Sequence, residues 1–238
     1  MPNFASYKLL EACRETGCPI CRLEQRSVER YLDSQFYENV NSPAWRDQLR
    51  ASLGFCQEHA GLAVDKRLGD ALGFSIIYHD IVNSVLNRLD DGGSRRPSRR
   101  WTSLLTQIPE PARHHIENML AAITPRKRCP ACDHRDEFRR QTVSTLVEGL
   151  GAPEVVEALQ TSEGLCLPHL KLALEHVRDA SACEQLLDIQ RAKLEGLKTE
   201  LGEFIRKSDY QVIGQGFGSE GDAWLRAVRM IVGDKRGK

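Results

Sequence analysis

Four short motifs, each able to supply half of a metal site, recur along the 238 residues, and nothing else in the chain restricts its fold as strongly. Cys18-Pro19-Ile20-Cys21 is followed after 34 residues by Cys56-Gln57-Glu58-His59, and Cys129-Pro130-Ala131-Cys132 is followed after 33 by Cys166-Leu167-Pro168-His169. Six of the eight cysteines are used in this way, as C-P-x-C then C-x-x-H, twice. Three cysteines and one histidine are the ligand set of a structural zinc site, so the expected cofactor is two Zn²⁺ per chain. Spacing leaves open whether each quartet closes within one half of the chain or by exchange between the halves.

The recurrence extends beyond the ligands. Shifting Pro43–Ala63 by 110 positions matches Pro43 to Pro153, Leu49 to Leu159, Ser52 to Ser162, Gly54 to Gly164, Leu62 to Leu172 and Ala63 to Ala173, along with both C-x-x-H ligands. The C-P-x-C pairs require a shift of 111, one residue more. A unit repeated around its ligands points to duplication of a whole helical frame.

Composition agrees with helices. Ala, Leu, Glu, Arg and Gln abound, and alternating β-branched runs are nearly absent. The expected fold is all-α: two pseudo-symmetric helical repeats, each organised around a Cys₃His metal site, plus a C-terminal amphipathic helix. The expected organisation is a first metal-binding repeat over 1–90, a basic linker and connecting helix over 91–108, a second repeat over 109–208, and a glycine-punctuated tail with its helix over 209–238.

Helices are expected over Phe4–Glu15, from Cys18 to Glu38, over Pro43–Ser52, and from Cys56 to Leu89 with an interruption near Gly69 and Gly73. Others are expected over Trp101–Ile108 and Glu110–Ile123, with a long one running from Cys166 as far as Lys207. Pro19, Pro43 and Pro153 stand where a first helical turn tolerates the missing N–H. Ser219 and Asp222 resemble a capping box before the last helix, whose apolar residues are Trp224, Leu225, Val228, Ile231 and Val232.

C-x-x-C and C-x-x-H each set two ligands one turn apart, so both members of a pair face one ion. Thiols at helix starts are expected to have lowered pKa values through the macrodipole. Arg22, Arg126, Lys127 and Arg128 are the candidates to offset the net negative charge of such a site. Four protein ligands leave no place for an activated water, which argues against catalysis.

Two alternatives share the same residues. Cys₃His ligation also suits an iron–sulfur centre, and C-P-x-C at a helix start suits a redox dithiol, though no βαβ pattern surrounds either pair. A dithiol also leaves the recurring C-x-x-H motifs without a purpose.

Acidic and basic residues balance at 33 each, which removes any overall field toward nucleic acid or anionic membrane. No apolar stretch spans a bilayer and no leader is visible, so a cytoplasmic protein is expected. Arg95, Arg96, Arg99 and Arg100 beside Trp101 form a local basic segment suited to a nucleic-acid backbone, the alternative partner. A protein partner or self-association is the leading expectation, with Trp224, Leu225 and Val228 as the contact residues. Tyr78-His79-Asp80 has the order of a base and its carboxylate, but the other repeat carries no counterpart. Cys13 and Cys183, outside both motifs, read as small buried apolar residues.

Through CPIC, GFCQEH, CPAC, GLCLPH and the EGDAW segment near the C-terminus, the chain resembles a family of uncharacterised bacterial proteins classed as a domain of unknown function. The resemblance spans nearly the whole length. It implies a bacterial origin and paired metal-ligand motifs, and brings no activity with it.

Overall fold

The computed structural model describes residues 4–90, 110–209 and 215–234. Every regular element among them is helical. In order they are α1 (Phe4–Cys13), α2 (Pro19–Glu38), α3 (Pro43–Ser52), α4 (Gln57–Asp65), α5 (Ala71–Asp90), α6 (Glu110–Ile123), α7 (Pro130–Gly149), α8 (Pro153–Thr161), α9 (Leu167–His176), α10 (Ala180–Lys207), a 3₁₀ turn (Ser219–Asp222) and α11 (Ala223–Val232). The starts at prolines 19, 43 and 153 follow the sequence expectation, and Pro130 opens α7 in the same way, because proline's fixed φ suits a first turn.

Two expectations change. The helix expected from Cys166 to Lys207 breaks at Val177–Asp179, where the Asp179 carboxylate accepts the Ala182 N–H at 2.9 Å and opens α10 as its N-cap. The capping box before the last helix is also absent, since Asp222 makes no side-chain cap. Within the 3₁₀ turn Glu220 accepts from the Gly218 N–H at 2.8 Å and pairs with Lys207 at 2.7 Å. The Lys207 ammonium and that N–H hold its carboxyl down at about 2.

The chain divides into two compact units that do not follow sequence order. One comprises Met1–Ser27 with Arg135–Lys238, the other Val28–His134, so the division falls inside α2 and inside α7. In the first unit, Leu9 and Ala12 of α1, Ile20 and Leu23 of α2, Val143 and Leu146 of α7, Val155 and Leu159 of α8 and Leu186 of α10 share one buried cluster.

In the second unit, the far half of α2 sends Val28, Leu32 and Phe36 inward at four-residue spacing, a single stripe along one helix face, and Val40 joins them just past the helix end. Phe36 is fully buried, stacks on Phe74 at 3.8 Å and meets Trp45 edge-on at 5.9 Å. The interruption between α4 and α5 is where that stripe demands it. Gly69 has φ 74°, and a Cβ there would stand 2.4 Å from that of Phe36. Only glycine accepts both the conformation and the approach.

Candidate metal centres

Each unit holds one quartet, and the quartets are crossed with respect to the chain. The C-P-x-C of the first half meets the C-x-x-H of the second, giving Cys18, Cys21, Cys166 and His169. The remaining pairs give Cys56, His59, Cys129 and Cys132. In each set the four ligand atoms lie within 4.8 Å of one another. The spacing had left exchange open, and exchange is what the fold adopts.

Local structure explains how each pair is aimed. Cys18 and Cys129 immediately precede the prolines that open α2 and α7, and Cys21 and Cys132 follow one turn later. Cys56 and Cys166 are the extended N-cap residues of α4 and α9, with His59 and His169 one turn on. Before each cap a left-handed glycine, Gly54 at φ 88° and Gly164 at φ 87°, turns the chain out of the preceding helix.

The distances suit a single tetrahedral ion. Metal–sulfur bonds of about 2.3 Å and metal–nitrogen bonds of about 2.05 Å place S···S at roughly 3.8 Å and S···N at roughly 3.6 Å. In the first quartet Cys21 and Cys166 are 3.6 Å apart, and His169 Nδ1 lies 3.5, 3.3 and 3.1 Å from the sulfurs of Cys18, Cys21 and Cys166. In the second, Cys56 and Cys132 are 3.7 Å apart, and His59 Nδ1 lies 3.1, 3.7 and 3.4 Å from Cys56, Cys129 and Cys132. All of these cysteines are free thiols, far beyond the roughly 2.05 Å of a disulfide. Both quartets can therefore hold a metal ion.

The first quartet carries a support that motif reading did not find. With Nδ1 turned to the sulfurs, His169 Nε2 faces Glu24 Oε2 at 3.1 Å, one turn beyond Cys21 on α2. Arg139 holds Glu24 through two nitrogens, and Arg135 adds a contact at 3.5 Å. A carboxylate behind a ligating imidazole fixes its tautomer and ring plane. The two guanidiniums offset the charge of Glu24 and of a three-thiolate site.

Of the expected counter-charges, Arg22 pairs with Glu15 and Arg128 with Asp133. The missed signal was the i, i+3 relation of Glu24 to Cys21.

Titration reflects this arrangement. Burial works against a charge on His169, but the sulfurs of Cys166, Cys18 and Cys21, and then Glu24, outweigh it and push its pKa up. For Glu24, burial raises the pKa, yet His169 and Arg139 bring it below the usual carboxylate value. Cys129 departs from expectation. Burial raises its pKa despite N–H groups at the helix start, so desolvation wins over the dipole there.

Other candidates separate cleanly. Cys13 is buried, and desolvation lifts its thiol to about 12, so it packs as an apolar residue. His79 is exposed beside Asn83, while Asp80 pairs with Arg46 and Arg50, so Tyr78-His79-Asp80 makes no base–carboxylate pair. Arg95, Arg96, Arg99, Arg100 and Trp101 lie outside the described residues.

On α11 the large apolar residues point away from the unit: Trp224 is 50 % exposed and Val228 56 %. The helix packs instead through Ala223, Ala227 and Met230 against Leu194, Leu197 and Leu201 of α10.

Residues 7–238 match the family described as Family of unknown function (DUF6062). The chain belongs to this family. It is also similar to the "Uncharacterized 23.9 kDa protein in xynA 3'region" of Caldicellulosiruptor sp. (strain Rt8B.4), 26 % identical over 234 residues, covering 94 % of this chain and 99 % of the relative. No solved structure matches. Among the described residues of this family member, no helix is long and apolar enough to cross a membrane.

Proposed function

We propose that this protein is a two-zinc, non-catalytic interaction protein in which the cations pin ligand-bearing helix starts and the outward face of α11 makes the contact. Zinc is supported by the three-sulfur, one-nitrogen donor set and by separations near those of a tetrahedron. A single ion per quartet is favoured over an iron–sulfur cluster. Ligands of a cluster sit on different irons and spread wider than four atoms held within 4.8 Å. Four protein ligands close the coordination sphere, which fits a structural role and leaves no site for an activated water.

The observation that carries the interaction role is the outward placement of Trp224, Leu225, Val228, Ile231 and Val232, all exposed on one helix. The occupant we propose is a second copy of the chain. Around Ile231 the apolar surface continues onto Leu167, Leu170 and Leu174 of α9, with Lys171 and Glu175 on its border. These two are opposite in charge and one turn apart. In a two-fold contact each Lys171 meets the other copy's Glu175, and the balanced charge of the chain sets up no repulsion.

Sedimentation equilibrium tests this. The wild type is expected to form dimers, and Val228→Glu is expected to weaken them about 100-fold, because an unpaired charge buried in a contact costs about 3 kcal/mol. A wild type that stays monomeric, with Val228→Glu indistinguishable from it, would overturn the contact while leaving the metal sites untouched.

A further inference from the structure

The end of α11 rests on the sulfurs of the first quartet. Gly233 closes the helix in the left-handed region at φ 85°, its N–H bonded to the Arg229 carbonyl at 2.9 Å. A Cβ on Gly233 would stand 3.5 Å from Cys166 Sγ and 3.6 Å from Cys21 Sγ, so the bare backbone packs directly on two ligands. The next N–H, that of Asp234, donates to Cys21 Sγ at 3.4 Å.

One turn back, Met230 Sδ accepts from Gln190 Nε2 at 3.1 Å. Gln190, itself buried, grips both the N–H and the carbonyl of Leu165, the residue before Cys166. The helix end and the ligand loop are therefore fastened to each other from two sides.

Elsewhere α11 packs on α10 and α9 with few buried side chains of its own. Its buried contribution is Ala223 and Met230, with Ala227 partly covered. The ion pairs of Arg226 with Glu200 and Asp222 are partly solvated, and such pairs contribute little. A cavity of about 330 Å³ along α10 and α11 is lined by Lys193, Arg226, Arg229 and Met230 and reaches Cys18 and Cys166.

We propose that occupancy of the first quartet controls the docking of α11, and through it the display of the apolar contact face. The inference rests on the metal-site reading. A thiolate held to a cation stays ionised and is a strong acceptor for the Asp234 N–H, whereas a neutral thiol is a weak one. Linkage makes the effect reciprocal: whatever loosens α11 also loosens the ion.

The test compares Asp234→Pro, which removes the N–H, with Asp234→Ala, which keeps the N–H and loses only the carboxylate that pairs with Arg229. Hydrogen exchange over Ala223–Val232 and zinc release to a colorimetric chelator are read on the same metal-analysed samples. Asp234→Pro is expected to raise α11 exchange, and the release rate of one of the two ions, about tenfold over Asp234→Ala. That is the lower end for a hydrogen bond to a charged acceptor. Gly233→Ala, strained at positive φ, is expected to act in the same direction.

Equal exchange and release in the proline and alanine variants, with two ions bound, overturns the proposal and leaves the metal sites standing. Purified protein without metal overturns both.

Discussion

Stripping both cations from the protein with a high-affinity chelator is expected to abolish its cooperative thermal transition and most of its helical circular dichroism. Structural zinc contributes on the order of 10 kcal/mol of apparent folding free energy in small zinc peptides, comparable to the whole stability of an ordinary domain, about 5–15 kcal/mol. The ligands are also core residues here. Cys18, Cys21 and Cys166 pack among Leu9, Ile20, Leu165 and Leu170, and Cys129 and Cys132 among Val28, Leu32 and Trp45. Losing an ion leaves two or three buried thiols and an imidazole with no centre to satisfy. Circular dichroism melts with parallel metal analysis check this; a stripped chain that keeps an undiminished transition would contradict a structural role for the ions.

The second large effect is expected at Glu24. Glu24→Ala removes the acceptor behind His169 and leaves Arg139 and Arg135 with Asp136 as their remaining anion; the Glu24 side chain is only 11 % exposed. Loss of a carboxylate behind a ligating histidine typically weakens metal binding about 10–100-fold. Because both guanidiniums are partly exposed and keep Asp136, the added stability cost is about 1 kcal/mol.

Competition titration is expected to show one of the two ions weakened and the other unchanged. Glu24→Gln, which keeps an acceptor oxygen but not the charge, falls between. Equal weakening of both ions, or of neither, would remove Glu24 from the site.

The eight residues that gather into the two quartets and several of the helix starts were legible in the sequence because they depend on local rules: prolines in first turns, cysteines one turn apart, glycines at helix ends. The pairing was not, because the intervals of 34 and 33 residues are nearly equal and satisfy either arrangement.

Helix length offers the missing clue. The 20 residues of α2 carry the chain about 30 Å from Cys18, and the 10 residues of α3 can return about half of that, so the C-x-x-H after α3 is not brought back to the pair that opens α2. The equally long α7 repeats the problem in the second half, and exchange solves both.

Three other features escaped for different reasons. Glu24 looked like a solvated residue on a charged helix, and only the imidazole brought from 145 positions away gives it a role. On α11, hydrophobicity identified the apolar residues but not which side faces inward. The small Ala223 and Ala227 let the helix approach α10 closely, and that excludes Trp224 from the interface. The break before α10 needed neither glycine nor proline, and Asp179 as a helix-starting acceptor was its only sign.

The crossed quartets are tested most directly by counting metal in paired substitutions. Cys21→Ser with Cys166→Ser strikes one quartet twice and is expected to leave one zinc per chain, whereas Cys21→Ser with Cys56→Ser strikes each quartet once and is expected to leave none. The reverse pattern, with one zinc retained in the second variant and none in the first, would mean that each half of the chain closes its own site and would contradict the account.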